Sequence, residues 1–98
     1  MYLDSYQNNV SALCRKYHVK TLHVFGSVLT KQFGNDSDVD LIVAFNDIPT
    51  EEYADNYFDF KFSLQDIFKR PVDLLEEQAI KNPYLRQNID RNKLLIYG

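Results

Sequence analysis

Tryptophan is absent from this chain, cysteine occurs once, and glycine and proline occur three times each in 98 residues. The lone Cys14 rules out an intrachain disulfide and fits a reducing compartment, so a cytoplasmic protein is expected. So little glycine and proline excludes a collagen-like or low-complexity chain. No apolar run approaches the ~20 residues that a membrane-spanning helix needs. Residues 1–6 include Asp4 and polar groups, unlike a secretory signal. A basic excess is missing too: 11 Lys and Arg stand against 14 Asp and Glu, for a net charge of −3. With no basic run to grip a phosphate backbone, bulk nucleic-acid binding is not expected. A small anion remains an acceptable ligand where a metal ion supplies the positive charge.

What is present is enough apolar material, 45% of residues, for one small core, and residues 1–98 read as a single domain. Seven Phe and seven Tyr can fill such a core with few side chains. Residues 2–17 place Leu3, Tyr6, Val10, Leu13 and Tyr17 three or four apart, the face of a helix, with Cys14 beside it as a small core residue. Residues 21–25 (T-L-H-V-F) read as a strand stopped by Gly26, residues 28–33 as a short helix, and residues 34–37, with Asp36, as a turn. Residues 38–45 form the second strand. A helix follows over residues 50–69, with Thr50 as its cap and Glu51 and Glu52 at its positive end. Its buried stripe is Tyr53, Tyr57, Phe60, Leu64 and Ile67 or Phe68, which leaves Phe58 and Phe62 off the stripe for an interface. Residues 71–75 make a third strand, Asn82 caps a last helix that starts at Pro83, and residues 93–97 make a final strand. The alternation predicts the α/β (α+β) class: a small mixed β-sheet packed with helices.

The chemistry concentrates at two strand ends. Gly26 and Ser27 leave the first strand, and Asp38 and Asp40 open the second, ten residues on. Residues i and i+2 of a strand share a face, so both carboxylates aim the same way. Their repulsion calls for a cation, and carboxylate oxygens suit Mg²⁺, which keeps other positions for water and phosphate. Gly26 lets a phosphate approach the backbone, and Ser27 offers a hydroxyl and an N–H. Asp73, in the strand V-D-L-L, adds a third acid for a second metal and for deprotonating a hydroxyl. A random chain of this length matches G-S-x₁₀-D-x-D about once in a thousand. His18 and His23 lack ligand-like spacing, and His23 is expected to be packed or at a rim.

The string F-G-S-x₁₀-D-V-D-L-I-V, followed by P-V-D-L-L, resembles the minimal nucleotidyltransferases of the DNA polymerase β-like superfamily, through nearly the whole chain. The resemblance implies a polymerase β palm-like fold, with Gly26 and Ser27 holding phosphates and Asp38, Asp40 and Asp73 as catalytic, metal-binding acids. It implies ATP or another nucleoside triphosphate as substrate, and Mg²⁺, in a two-metal site, as cofactor. It also implies a partner: a cognate all-helical HEPN-type ribonuclease toxin in a hetero-oligomer, neutralised by AMP transfer to a tyrosine. Relatives commonly carry arginines after the G-S pair, where Val28 and Thr30 stand here, with Lys31 next to them. Two alternatives stay open: an antitoxin that acts by binding alone, and an aminoglycoside-type small-molecule nucleotidyltransferase. The latter usually has an extra helical domain. A chain this short is expected to share its acceptor site with a partner.

Overall fold

The computed structural model describes residues 2–29, 34 and 37–98, with Ser27 and Val28 described by their backbone alone. The N-terminal helical pattern opens as a 3-10 helix, Tyr2–Tyr6, and becomes α-helical at α1, Gln7–Lys16. The tighter opening sets the rings of Tyr2 and Tyr6 5.5 Å apart and both against Phe68. Strand β1, Val19–Phe25, starts two residues earlier than expected, with a bulge between Val19 and Thr21. A 3-10 turn, Gly26–Leu29, then stands in place of the start of the expected short helix. The rest of that helix, Thr30 to Phe33 with Lys31, lies outside the described residues, as do Asn35 and Asp36. The expected turn is closed at its ends: the Gly34 N–H donates to Ser37 Oγ at 3.0 Å and the Ser37 N–H to the Gly34 carbonyl at 3.1 Å.

Strand β2 is Val39–Phe45, helix α2 is Thr50–Phe68 and strand β3 is Val72–Glu76. Thr50 is not the cap of α2. Pro49 takes that position with no side-chain hydrogen bond, and Thr50 is the first helical residue. Proline's fixed φ makes it a natural lead-in to a helix. At the other end Lys69 turns left-handed (φ +57°) and its N–H donates to the Gln65 carbonyl at 2.8 Å. Helix α3, Pro83–Asn92, has the predicted cap: Asn82 Oδ1 accepts from the N–H groups of Tyr84 and Leu85 at 2.9 and 3.2 Å. Strand β4, Leu94–Tyr97, ends the chain's regular structure.

The four strands form one mixed sheet in the order β3-β2-β1-β4. β1 pairs antiparallel with β2 and with β4, while β2 and β3 are parallel because α2 carries the chain back across the sheet. One face of the sheet, with Leu22, Val24, Val39, Leu41, Val43, Val72 and Leu74, packs under α1 and α2. Val10 and Cys14 of α1 and Phe60, Leu64 and Phe68 of α2 close this core. Burial pushes the Cys14 thiol up to about 12, so it is an inert apolar filler. Fully burying a side chain such as Phe60 contributes roughly 1.5–3 kcal/mol. Among the described residues no helix is long and apolar enough to cross a membrane.

Candidate active site

Strand alternation that buries Val39, Leu41 and Val43 turns Asp40 and Ile42 to the second face of the sheet. On β1 the same alternation turns His23 and Phe25 that way, since Leu22 and Val24 belong to the core. On β3 it turns Asp73, between the buried Val72 and Leu74. Asp40 and Asp73 are direct register partners of the parallel pair, and Phe25 is opposite Asp40 on the other side. Asp38 is exposed, one residue ahead of β2. Asp73 is exposed on the edge strand, and Asp40 between its neighbours is half-buried.

The electrostatics tie the three acids together. Burial first, then the charges of Asp73 and of Asp38, raises the Asp40 carboxyl above the ordinary carboxylate range. Gly26 closes the other side. Its φ of +77° is left-handed, and a Cβ placed there would run into the Asp40 carboxylate. Glycine is thus required twice: by the backbone turn, and by the acid that occupies the space a side chain would take. The turn backbone is pressed against Asp40, and Ser27 follows directly within the Gly26–Leu29 turn.

Among the described residues no three acidic, histidine or cysteine groups are already gathered as a cage for a metal ion. The acids still fit a hard divalent cation, because Mg²⁺ takes one or two carboxylates and fills its other positions with water and phosphate oxygens. The supporting observation is Asp40, half-buried and repelled by two neighbouring carboxylates, a strain that a cation relieves.

Two positioning residues escaped the sequence reading. Arg70 donates from Nη1 to the carbonyls of Gly34 and Ser37, 3.0 Å each, and its guanidinium stacks over Tyr2 at 4.6 Å. It holds the segment that delivers Asp38, and the Val39 N–H bonded to the Pro71 carbonyl at 3.0 Å continues that clamp. An arginine just ahead of the P-V-D strand was the available signal. The second is Tyr57, whose hydroxyl donates to the Leu74 carbonyl next to Asp73. His23 is half-buried, and its Nδ1 is enclosed without a hydrogen-bond partner.

Comparison with known proteins agrees with this geometry. The sequence profile of the family described as "Polymerase beta, Nucleotidyltransferase" matches residues 8–98. A "putative protein adenylyltransferase" of Methanocaldococcus jannaschii is 34% identical over 94 residues, 96% of this chain and 91% of that protein. A second of the same description and organism is 32% identical over 82 residues, 84% of this chain and 79% of that one. Among solved structures, a "putative minimal nucleotidyltransferase" superposes with a TM-score of 0.76 at 29% identity, over 94% of this chain and 90% of that chain. A chain from a complex of a tri-AMPylated Shewanella oneidensis HEPN toxin with its MNT antitoxin gives a TM-score of 0.67 at 18% identity, over 100% and 73% of the two chains. A toxin-antitoxin structure with AMP-PNP gives 0.71 at 19% identity, over 94% and 73%. The last two likenesses speak for the fold.

Proposed function

The chain belongs to the polymerase beta nucleotidyltransferase family, and from that premise we propose that it is a Mg²⁺-dependent protein adenylyltransferase that moves AMP from ATP to a hydroxyl of a partner protein. The observation that carries the reading is the register pair Asp40 and Asp73, with the Gly26 turn pressed against Asp40. Asp38, Asp40 and Asp73 hold the metal ions. When bound, Mg²⁺ neutralises the polyphosphate and the departing pyrophosphate. The backbone of Gly26 and Ser27, with the Ser27 hydroxyl, grips the β- and γ-phosphates. The acceptor oxygen forms a bond to the α-phosphorus, the bond from that phosphorus to pyrophosphate breaks, and the hydroxyl proton passes to Asp73. The exposed position of Asp73 on an edge strand suits it to meet a hydroxyl brought by another molecule. Transfer of this kind is mostly positioning and charge neutralisation, so docking of the partner supplies the alignment.

The partner in this reading is a helical HEPN-type toxin, neutralised in the cytoplasm by the present chain as antitoxin. Toxin-antitoxin complexes among the structures of like fold support it. So does the exposed stacked pair Phe58 and Phe62, with ring centroids 6.0 Å apart on α2. The same exposed pair favours, as a second reading, neutralisation by docking alone. Incubation with MgATP and a HEPN-type helical protein, followed by intact-mass spectrometry, separates the two. A gain of one or more AMP units on the partner, abolished by EDTA, is expected. No gain, with neutralisation intact in Asp73→Ala, would replace transfer by docking.

A further inference from the structure

Helix α3 stands off from the exit of β1 and leaves a cavity of about 650 Å³ on the second face of the sheet. Phe25, Gly26 and Leu29 form one wall, and Leu85, Ile89 and Arg91 of α3 stand on the other. The volume is ordinary for a small-molecule site, as are largely apolar walls with a few polar groups. Gly26 lines this cavity and also lies against the Asp40 carboxylate, so the cavity and the acids meet at one residue.

The basic residues at this end of the chain differ in what they do. Arg86 is tied to Glu77 at 2.6 Å and to Asp90 at 3.5 Å, and Lys93 to Asp90 at 3.0 Å. Those ion pairs pin α3 and occupy Arg86 and Lys93. Arg70 is committed to the Gly34 and Ser37 carbonyls. Arg91 makes no ion pair with any described residue, and it lines the cavity that Gly26 lines. A polyanion with one end among Asp38, Asp40 and Asp73 needs positive charge at the other.

We propose that Arg91 binds the terminal phosphate of the nucleotide, across the cavity from Gly26. The inference rests on the nucleotidyltransferase reading and extends it to a residue from a separate element. A guanidinium presents a planar fork of donors that matches a phosphate two bonds at a time. Phe25, Leu29, Leu85 and Ile89 supply the apolar part of the same cavity wall. The Asn92 amide, which donates to the Asn88 carbonyl at 2.8 Å, stiffens the last turn from which Arg91 projects. Arg91 thereby provides from α3 a guanidinium where the sequence after Ser27 has Val28 and Thr30.

Calorimetric titration of the whole chain with ATP and with AMP, both with Mg²⁺, tests this in the parent, Arg91→Gln and Arg91→Lys. Arg91 is exposed, so both variants should fold, which circular dichroism checks. Arg91→Gln should weaken ATP about tenfold and leave AMP unchanged, and Arg91→Lys should recover part of the loss. Equal weakening of both ligands would mean a general disturbance of α3 and overturn the proposal. Unchanged ATP binding in Arg91→Gln would overturn it and leave the proposed function standing. A parent chain that binds neither nucleotide would overturn both.

Discussion

The two faces of the sheet are built on opposite terms. The face under α1 and α2 is aliphatic and aromatic, and its central residues, such as Leu22, Leu41 and Phe60, are fully buried. The other face carries Asp40, Asp73, His23 and Phe25, and of its sheet residues only Ile42 is fully buried among those described. Both faces come from the same strands, one residue out of phase. The first face lowers the free energy of the fold. The second gathers like charges and an unpartnered imidazole nitrogen, each of which raises it. Stability and chemistry are therefore separable here by the parity of a residue's position along its strand.

Three variants probe that separation. The largest effect should come from Asp38→Asn with Asp40→Asn. Transfer of labelled AMP should fall by more than about a hundredfold, since two of the three proposed metal ligands are gone. Thermal unfolding of the same double variant should stay level or rise, because a repulsion has been removed. A collapse of its stability would show that the second face supports the fold after all. Next is Phe60→Ala on the first face, expected to cost ~3–5 kcal/mol by denaturant titration. That is a large share of what a domain of this size has to lose.

The smallest effect concerns His23. Burial is the main cause that holds its imidazole below the ordinary histidine range; Lys93 pushes the same way, against Glu77 and Asp90. The unfolded chain then binds more protons at mildly acid pH, so stability is fully present above the unfolded histidine value and falls as pH drops below it. His23→Gln should flatten that slope between about pH 7 and pH 5, measured as unfolding midpoint against pH. An unchanged slope would assign it to other groups.

Legibility followed distance along the chain. The stripe of α2 and the Asn82 cap rest on periods of a few residues, and they were readable; Asp38, expected inside the second strand, stands one residue ahead of it. The V-D-L-L pattern was enough to expect Asp73 beside Asp38 and Asp40, while its exact register with Asp40 is set by how a 19-residue helix returns the chain. Arg70 reaches the Gly34 and Ser37 carbonyls, more than thirty residues back in the chain, and its place just ahead of the P-V-D strand was the only local signal of that role. Pro49 displaced Thr50 as the cap because this helix starts without any side-chain capping hydrogen bond, so the Thr50 hydroxyl did not mark its boundary.

Tyr53 and Tyr57 lie four apart on α2, and their hydroxyls reach the Glu76 carboxylate (2.6 Å) and the Leu74 carbonyl, two apart on β3. Burial pushes both phenols up, so they remain protonated and able to donate. Four helical residues advance ~6 Å, and two strand residues advance ~6.6 Å. The two scales nearly coincide, so the helix serves as a vernier laid against the strand, with one graduation on either side of Leu75. A slip of β3 by a single residue would put both marks out of step and swing Asp73 into the hydrocarbon layer. The accuracy with which the third acid meets its partner is thus metered from the far side of the sheet, by two phenols on α2.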